Sequence, residues 1–415
     1  GGSGGTAGGG GGAGSGGAPG TGGAPGTGGA PGSGGAPVLA PPAPVGLVAL
    51  NSDFSSTSLS ILNPSGGLAQ GNCVHSMTVS GSSTSTISGD VVLPSQPQLG
   101  GDVVLVDRHN GALTFVDPTA CTIARQVAVP GGATTNPHDV VIVGSKKAYV
   151  TRYQANLTAT TPALMGNDVA IIDPTTGTFA SRINLDAYAS TVTGATILAR
   201  PDRALIAAGK VVVSLNEVDA SYVSYGEGKI VVIDPATDAV VASVALKGLY
   251  DCEGMSYVAA SKTLLVACGG PYADEDQPLK SGIAVVDLGA SPPSLSRTIA
   301  GVAFGDQPVN FGWVLAAPTS SGGTRAFAGT NDPNFVRPDA LYVFDYVIGT
   351  TTQIATSDPY TIGFPASTGS LLFVPESTFS TPKIQLFNIT GTPQATSGFA
   401  SDPTNGLPPQ EIAWY

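Results

Sequence analysis

Seven times along this chain a β-rich run ends in Asp or Asn, a turn follows, and a second β-rich run begins. The occurrences are SLSILNPSGG at 58–67, ALTFVDPTAC at 112–121, VAIIDPTTGT at 169–178, IVVIDPATDA at 230–239, IAVVDLGASP at 283–292, LYVFDYVIGT at 341–350 and IQLFNITGTP at 384–393. Their anchors are Asn63, Asp117, Asp173, Asp234, Asp287, Asp345 and Asn388, spaced 43 to 61 residues apart. The chemistry of each is local: a short side-chain oxygen at the strand end caps a turn, Pro presets φ in the first four units, and Thr or Gly completes the reversal.

Two further β-rich runs precede each pair, as in HDVVIVGSKKAYVTRY at 138–153, which turns at Ser145–Lys146. Helical periodicity is nearly absent, and LARPDRALIAAGKVVV at 198–213 is broken by Pro201 and reads as strands. The low charged fraction, 11%, and the abundance of Gly, Ser, Thr and Val point the same way. Four short strands per unit, repeated seven times, predict an all-β fold, a seven-bladed β-propeller. The first unit, VGLVALNSDFSSTSLSILNPSG, lacks an innermost strand, and the chain end LPPQEIAWY supplies an orphan one. Joining the two closes the ring from both termini and removes the sheet edges there.

The units IVVIDPATDAVVASVAL and VAIIDPTTGTFASRINL, with KKAYVTR at 146–152, resemble the YVTN-type repeats of bacterial surface β-propellers. The likeness covers most of residues 45–415 and is clearest in blades three to five. It implies an exported propeller and says little about function, because propellers host enzymes, binding modules and scaffolds alike.

Ahead of the propeller lies a segment of different character. From Gly2 a glycine falls on every third position, at Gly5, Gly8, Gly11, Gly14, Gly17, Gly20, Gly23, Gly26, Gly29, Gly32 and Gly35. These twelve Gly-X-Y triplets carry Pro19, Pro25, Pro31 and Pro37 at the Y position. A slack tether needs no such register, whereas a polyproline II helix, at three residues per turn, gains one bare face from it. The arm reads as a tether, a trimeric collagen-like helix or a polyproline II strand lying on a neighbouring subunit. At about 3.1 Å per residue it reaches roughly 110 Å, enough to link successive subunits. The domain reading is therefore an arm at 1–37, a Pro-rich junction at 38–45 and a propeller at 46–415. The functional expectation is a non-enzymatic extracellular structural protein that self-assembles, into a filament, through this arm. The alternatives are a surface-tethered propeller that binds a polysaccharide or protein, and a channel-metal lactonase or esterase.

A net charge of −12 argues against a nucleic-acid partner and against docking on an anionic membrane. No stretch has the length of a membrane span. A start at Gly1 is consistent with removal of a secretory signal, or with a lipid-modified cysteine upstream. Of the four cysteines, Cys252 and Cys268 flank a hairpin that turns at Ala259–Lys262, which sets them opposite each other. Cys73 and Cys121 pair by elimination. Two such bridges imply an oxidising compartment, extracellular or at the bacterial cell surface.

Polar residues on innermost strands face the central channel. They are Asn136, His138 and Asp139 in TNPHDV, Asp251 and Glu253 in YDCEGM, Asp306, Gln307 and Asn310 in FGDQPVNF, and Glu411 in PPQEIAW. Asp251, Glu253, Asn310 and Glu411 could hold Ca²⁺, which would polarise a lactone or ester carbonyl. No serine elbow is present, and His75, His109 and His138 show no triad spacing. The loop PYADEDQP at 271–278 reads as a solvated acidic tip, and Tyr222, Tyr225, Trp313 and Trp414 as blade packing. The sequons at Asn156 and Asn388 matter only where asparagine is glycosylated.

Overall fold

A computed structural model of the protein describes residues 39–78, 84–272, 274–378 and 380–415. The Gly-X-Y arm, with every residue expected to drive assembly, lies outside the described residues. Leu39–Tyr415 is a compact unit. It consists of seven four-stranded antiparallel sheets and one small three-stranded sheet, the β-propeller class expected from the repeat.

We number the four-stranded sheets as blades 1 to 7. Their innermost strands are Pro409–Trp414, Val91–Val92, Pro137–Gly144, Pro201–Ala207, Cys252–Val258, Val309–Pro318 and Ala366–Ser367. The blades pack face to face. Because side chains alternate along a strand, each middle strand feeds two interfaces. In Val103–Asp107 of blade 2, Val103 and Leu105 join the core shared with blade 1, while Val104 and Val106 join the core shared with blade 3. This is why the middle strands read as unbroken apolar runs. Seven such clusters lie between successive blades, and the last, with Leu47, Ala49 and Ile412 against Phe373 and Leu386, joins blade 7 to blade 1. Each fully buried Val, Leu or Phe contributes about 1.5–3 kcal/mol.

Ring closure follows the expected scheme. Leu47–Ser52 pairs antiparallel with Pro409–Trp414, placing Leu47 opposite Trp414 and Ala49 opposite Ile412. The Val45 N–H donates to Tyr415 O at 2.6 Å, and the Trp414 indole N–H to Ser367 O at 2.9 Å. Gly46 is required here, since a Cβ would stand 2.3 Å from the Tyr415 hydroxyl oxygen.

All seven repeat anchors cap their turns. A side-chain oxygen of Asn63, Asp117, Asp173, Asp234, Asp287, Asp345 and Asn388 accepts the backbone N–H two residues on, at 2.7–3.0 Å. Both disulfides are formed. Cys252–Cys268 joins facing positions of blade 5, and Cys73–Cys121 ties the outer strand of blade 1 to the outer turn of blade 2. The repeat did not foretell the small sheet of Thr191–Val192, Ala195–Leu198 and Val218–Asp219. It is held by Arg200, whose guanidinium donates to Val218 O and Asp219 O from a buried position.

Candidate functional site at one mouth of the channel

Five inner strands begin at or just after a proline: Pro137, Pro201, Pro308, Pro365 and Pro409. Pro suits that position because a strand's first N–H need not join the ladder. Two residues further on stand Asp139, Arg203, Asn310, Ser367 and Glu411, and blade 5 offers Glu253 at the corresponding place. The inner strands thus gather a polar set around one mouth. The cavity there measures about 370 Å³, with His138, Asp202, Arg203, Glu253, Asn310 and Glu411 among its lining. Arg108, from the loop after the second strand of blade 2, completes the wall.

His138 is the most constrained of these groups. Its Nδ1 lies 2.7 Å from Asp202 Oδ2, across the interface between blades 3 and 4. Its ring stacks on Tyr153 with centroids 4.3 Å apart and planes 5° apart. Tyr153 in turn lies under the Arg200 guanidinium at 4.9 Å, and Arg200 lies over Tyr222 at 4.1 Å. A four-layer column therefore runs from the exposed Tyr222 inward to His138. The Tyr222 hydroxyl accepts from Arg200 at 2.7 Å, which locks the outer end.

The protonation states follow from these contacts. Burial lowers the His138 pKa, against the opposing pull of Asp202, and Arg108 and Arg203 lower it further. Burial would raise Asp202, but the charge and hydrogen bond of His138, then Arg203 and Arg108, hold it below the carboxylate range. An ionised Asp202 can only accept, so His138 carries its proton on Nδ1 and leaves Nε2 as a bare acceptor. That Nε2 is buried and, among the described residues, has no hydrogen-bond partner.

Arg203 is the hub of the mouth. Its Nε lies 3.6 Å from Asp202, its Nη2 3.6 Å from Glu411, and its Nη1 donates to Leu93 O at 3.1 Å. The Phe364 ring covers it at 5.2 Å. Glu411 also accepts from the Leu93 N–H at 2.7 Å, and burial raises its pKa against the Arg203 charge. Glu253 accepts from Asn216 Nδ2 at 2.9 Å, and burial, then the charges of Asp202 and Asp251, push it well above its ordinary range. Asp251 is pushed up to about 7 by burial and then by Asp202.

Of the four residues expected to hold a cation, Glu253, Asn310 and Glu411 line the cavity, and Asp251 does not. Glu411 is engaged by Arg203. Among the described residues, no three His, Cys, Asp or Glu side chains converge as a metal site. Asp139 is a buried strut: it accepts from Ser95 Oγ and from the Ala204 and Val140 N–H groups, joining blades 2, 3 and 4. Asp306 and Gln307 lie outside the cavity lining, Gln307 donating to Pro338 O. In the acidic loop, Asp274 pairs with Lys280 at 2.6 Å while Glu275 and Asp276 are exposed. Asp202, Arg203, Arg108 and Asn216 were not foreseen as site residues. The recurring Pro-x-polar signal at inner-strand starts, PHD, PDR, PVN and PQE, carries the first two.

The chain matches no protein-family model and no curated protein. Solved structures do resemble it. The periplasmic gluconolactonase PpgL of Pseudomonas aeruginosa aligns with TM-score 0.54 at 12% identity, over 88% of this chain and 98% of that one. A candidate 6-phosphogluconolactonase of Bacteroides uniformis aligns with TM-score 0.54 at 12% identity, over 90% and 99%. The β-propeller domain of Cps50 (Swd1) from Myceliophteria thermophila gives 0.52 at 11% identity, over 83% and 96%. The likeness establishes the β-propeller fold, shared by proteins of unlike function.

Proposed function

We propose that the protein is an extracellular structural β-propeller that joins copies of itself through residues 2–37 and builds a filament. The observation that carries this reading is the unbroken glycine register, Gly2 to Gly35, with prolines recurring every six residues. In a polyproline II helix six residues make two turns, a geometry that would set Pro19, Pro25, Pro31 and Pro37 on one face, about 19 Å apart. Closure pairs the first and last strands within blade 1, so neither is free to pair with a neighbouring copy.

Two features of Leu39–Tyr415 support the reading. The residues leading into blade 1 are tied to Tyr415 through Val45, and Pro44 lines the mouth opposite that of His138. On the His138 side, Phe335 stacks on Tyr360 at 4.1 Å, and Phe335, Tyr272 and Phe54 are exposed. Polyproline II segments settle on aromatic surfaces of this kind. A contact that uses one element of each copy on a different surface of the next is head-to-tail, and it extends into a filament unless its rotation closes a ring. The two disulfides accord with an oxidising compartment, and among the described residues no helix is long and apolar enough to cross a membrane.

Sedimentation velocity tests this. The full chain should sediment as particles that grow with concentration, the chain lacking residues 1–37 as a monomer, and excess synthetic peptide 17–37 should dissolve the large particles. Monomers from both chains would end the assembly reading and favour a tethered, ligand-binding propeller.

A further inference from the structure

We propose that the His138 mouth is a hydrolytic site, in which His138 takes a proton from water as that water attacks the carbonyl carbon of a small lactone or ester. The inference goes beyond assembly and does not depend on the arm. It rests on geometry. Asp202 fixes the imidazole as the Nδ1–H tautomer at 2.7 Å, the Tyr153 stack fixes its plane, and Nε2, buried and without a hydrogen-bond partner among the described residues, belongs to a side chain that lines a cavity of about 370 Å³. An Asp-oriented imidazole with a free acceptor nitrogen is the general-base half of a hydrolase.

A second group answers the charge that develops. Arg108 spends Nε and Nη2 on Asp90, and among the described residues its Nη1 has no hydrogen bond. Arg108 lines the same cavity as His138, and its charge is felt at His138, Asp202 and Glu411. In the step, the water O–H bond breaks, its proton goes to Nε2, and the oxygen forms the C–O bond. The carbonyl electron pair moves to oxygen, facing Arg108. Collapse of that intermediate breaks the ester C–O bond, and the departing alkoxide takes the proton back from Nε2. Atoms and charge balance with water as sole co-reactant. The cavity volume admits a small ring or short ester and excludes a polymer chain.

The chain has three histidines, His75, His109 and His138, which makes the test clean. The probes are δ-valerolactone and 4-nitrophenyl acetate, with the full chain. His138→Gln should lower kcat/KM by about 100-fold or more, the range general-base removal costs. His75→Gln and His109→Gln should stay within twofold of the parent. Asp202→Asn should fall nearly as far as His138→Gln, because the amide no longer selects the tautomer. The charged groups acting on His138 are Asp202, Arg108 and Arg203, and the Tyr153 ring stacks on it. Burial first, then the Arg108 and Arg203 charges, lower the His138 pKa, so the rate should rise with pH with its midpoint below that of an ordinary imidazole. Nitrogen-15 NMR of the histidines supplies a readout independent of turnover, a neutral His138 protonated at Nδ1 at pH 7. No hydrolysis above buffer on either probe overturns the proposal. So does undiminished activity in folded His138→Gln, or an Nε2–H tautomer.

Discussion

At the His138 mouth the inner strands present Asp202 and Glu253; further along, at the opposite mouth, they present Met255, Trp313, Leu315 and Trp414, and Arg203 and Glu411 stand between and line both cavities. The strands and the ring are common to both, so the difference is one of chemistry alone. The apolar mouth needs no explanation beyond packing: Met255 joins the core between blades 4 and 5, and Trp313 the core between blades 6 and 7. The polar mouth does. Each charge taken out of water costs several kcal/mol, and apolar residues of similar volume would plug a ring as well or better. A fold that lines one mouth largely with apolar side chains, yet holds an ionised Asp202 beside His138 in the other, keeps it there for something other than stability.

The largest effect should come from breaking the polar hub. Arg203→Met leaves Asp202, Glu411 and Asp139 without their shared cation, and the loss on urea denaturation should be about 3–5 kcal/mol. Met255→Ala at the apolar mouth should cost somewhat less, about 2–4 kcal/mol, through lost burial and a cavity. Running both variants at pH 5 and pH 8 sharpens the contrast: the Met255→Ala loss should be the same at each, and the Arg203→Met loss larger at pH 8. Equal pH dependence in the two would erase the distinction.

The parent protein should itself respond to pH through its buried carboxyls. Burial raises Asp139 to about 6, against Arg203, and Asp251 to about 7. Elsewhere, burial raises Glu217 to about 7 against Lys229. A carboxyl whose folded pKa exceeds its unfolded value adds stability that is complete below about pH 4. That stability drains away as pH rises through 6 to 7. The thermal midpoint should drop by roughly 5 °C between pH 5 and pH 8, read by calorimetry. The smallest effect on stability should be that of His138→Gln. Gln can still donate to Asp202, and the change should cost under about 1 kcal/mol. A larger loss would make His138 a structural strut like Asp139.

Legibility in the sequence follows the range of the interaction. The seven Asx-capped turns involve residues two apart, and the repeat displayed them directly. The closing strand was legible because the first unit was one strand short and the last had one to spare. His138, Glu253, Asn310 and Glu411 were visible as polar residues opening inner strands. Their partners were not. His138 meets Asp202 from a different blade, 64 residues away. Arg108 reaches the mouth from a second strand's loop, and Arg200 enters the Tyr153–Tyr222 column from a position that local pattern marks only as a strand start. Asp139, read as facing the channel, instead turns into the blade interfaces, where three donors take its oxygens. Strand alternation says which face a side chain takes, and the contacts between blades decide the rest.

The most direct test of the central claim is negative-stain electron microscopy of the full chain beside the chain lacking residues 1–37, at equal concentration. The account predicts rows of linked rings in the first and single rings in the second. Single rings in both would contradict it.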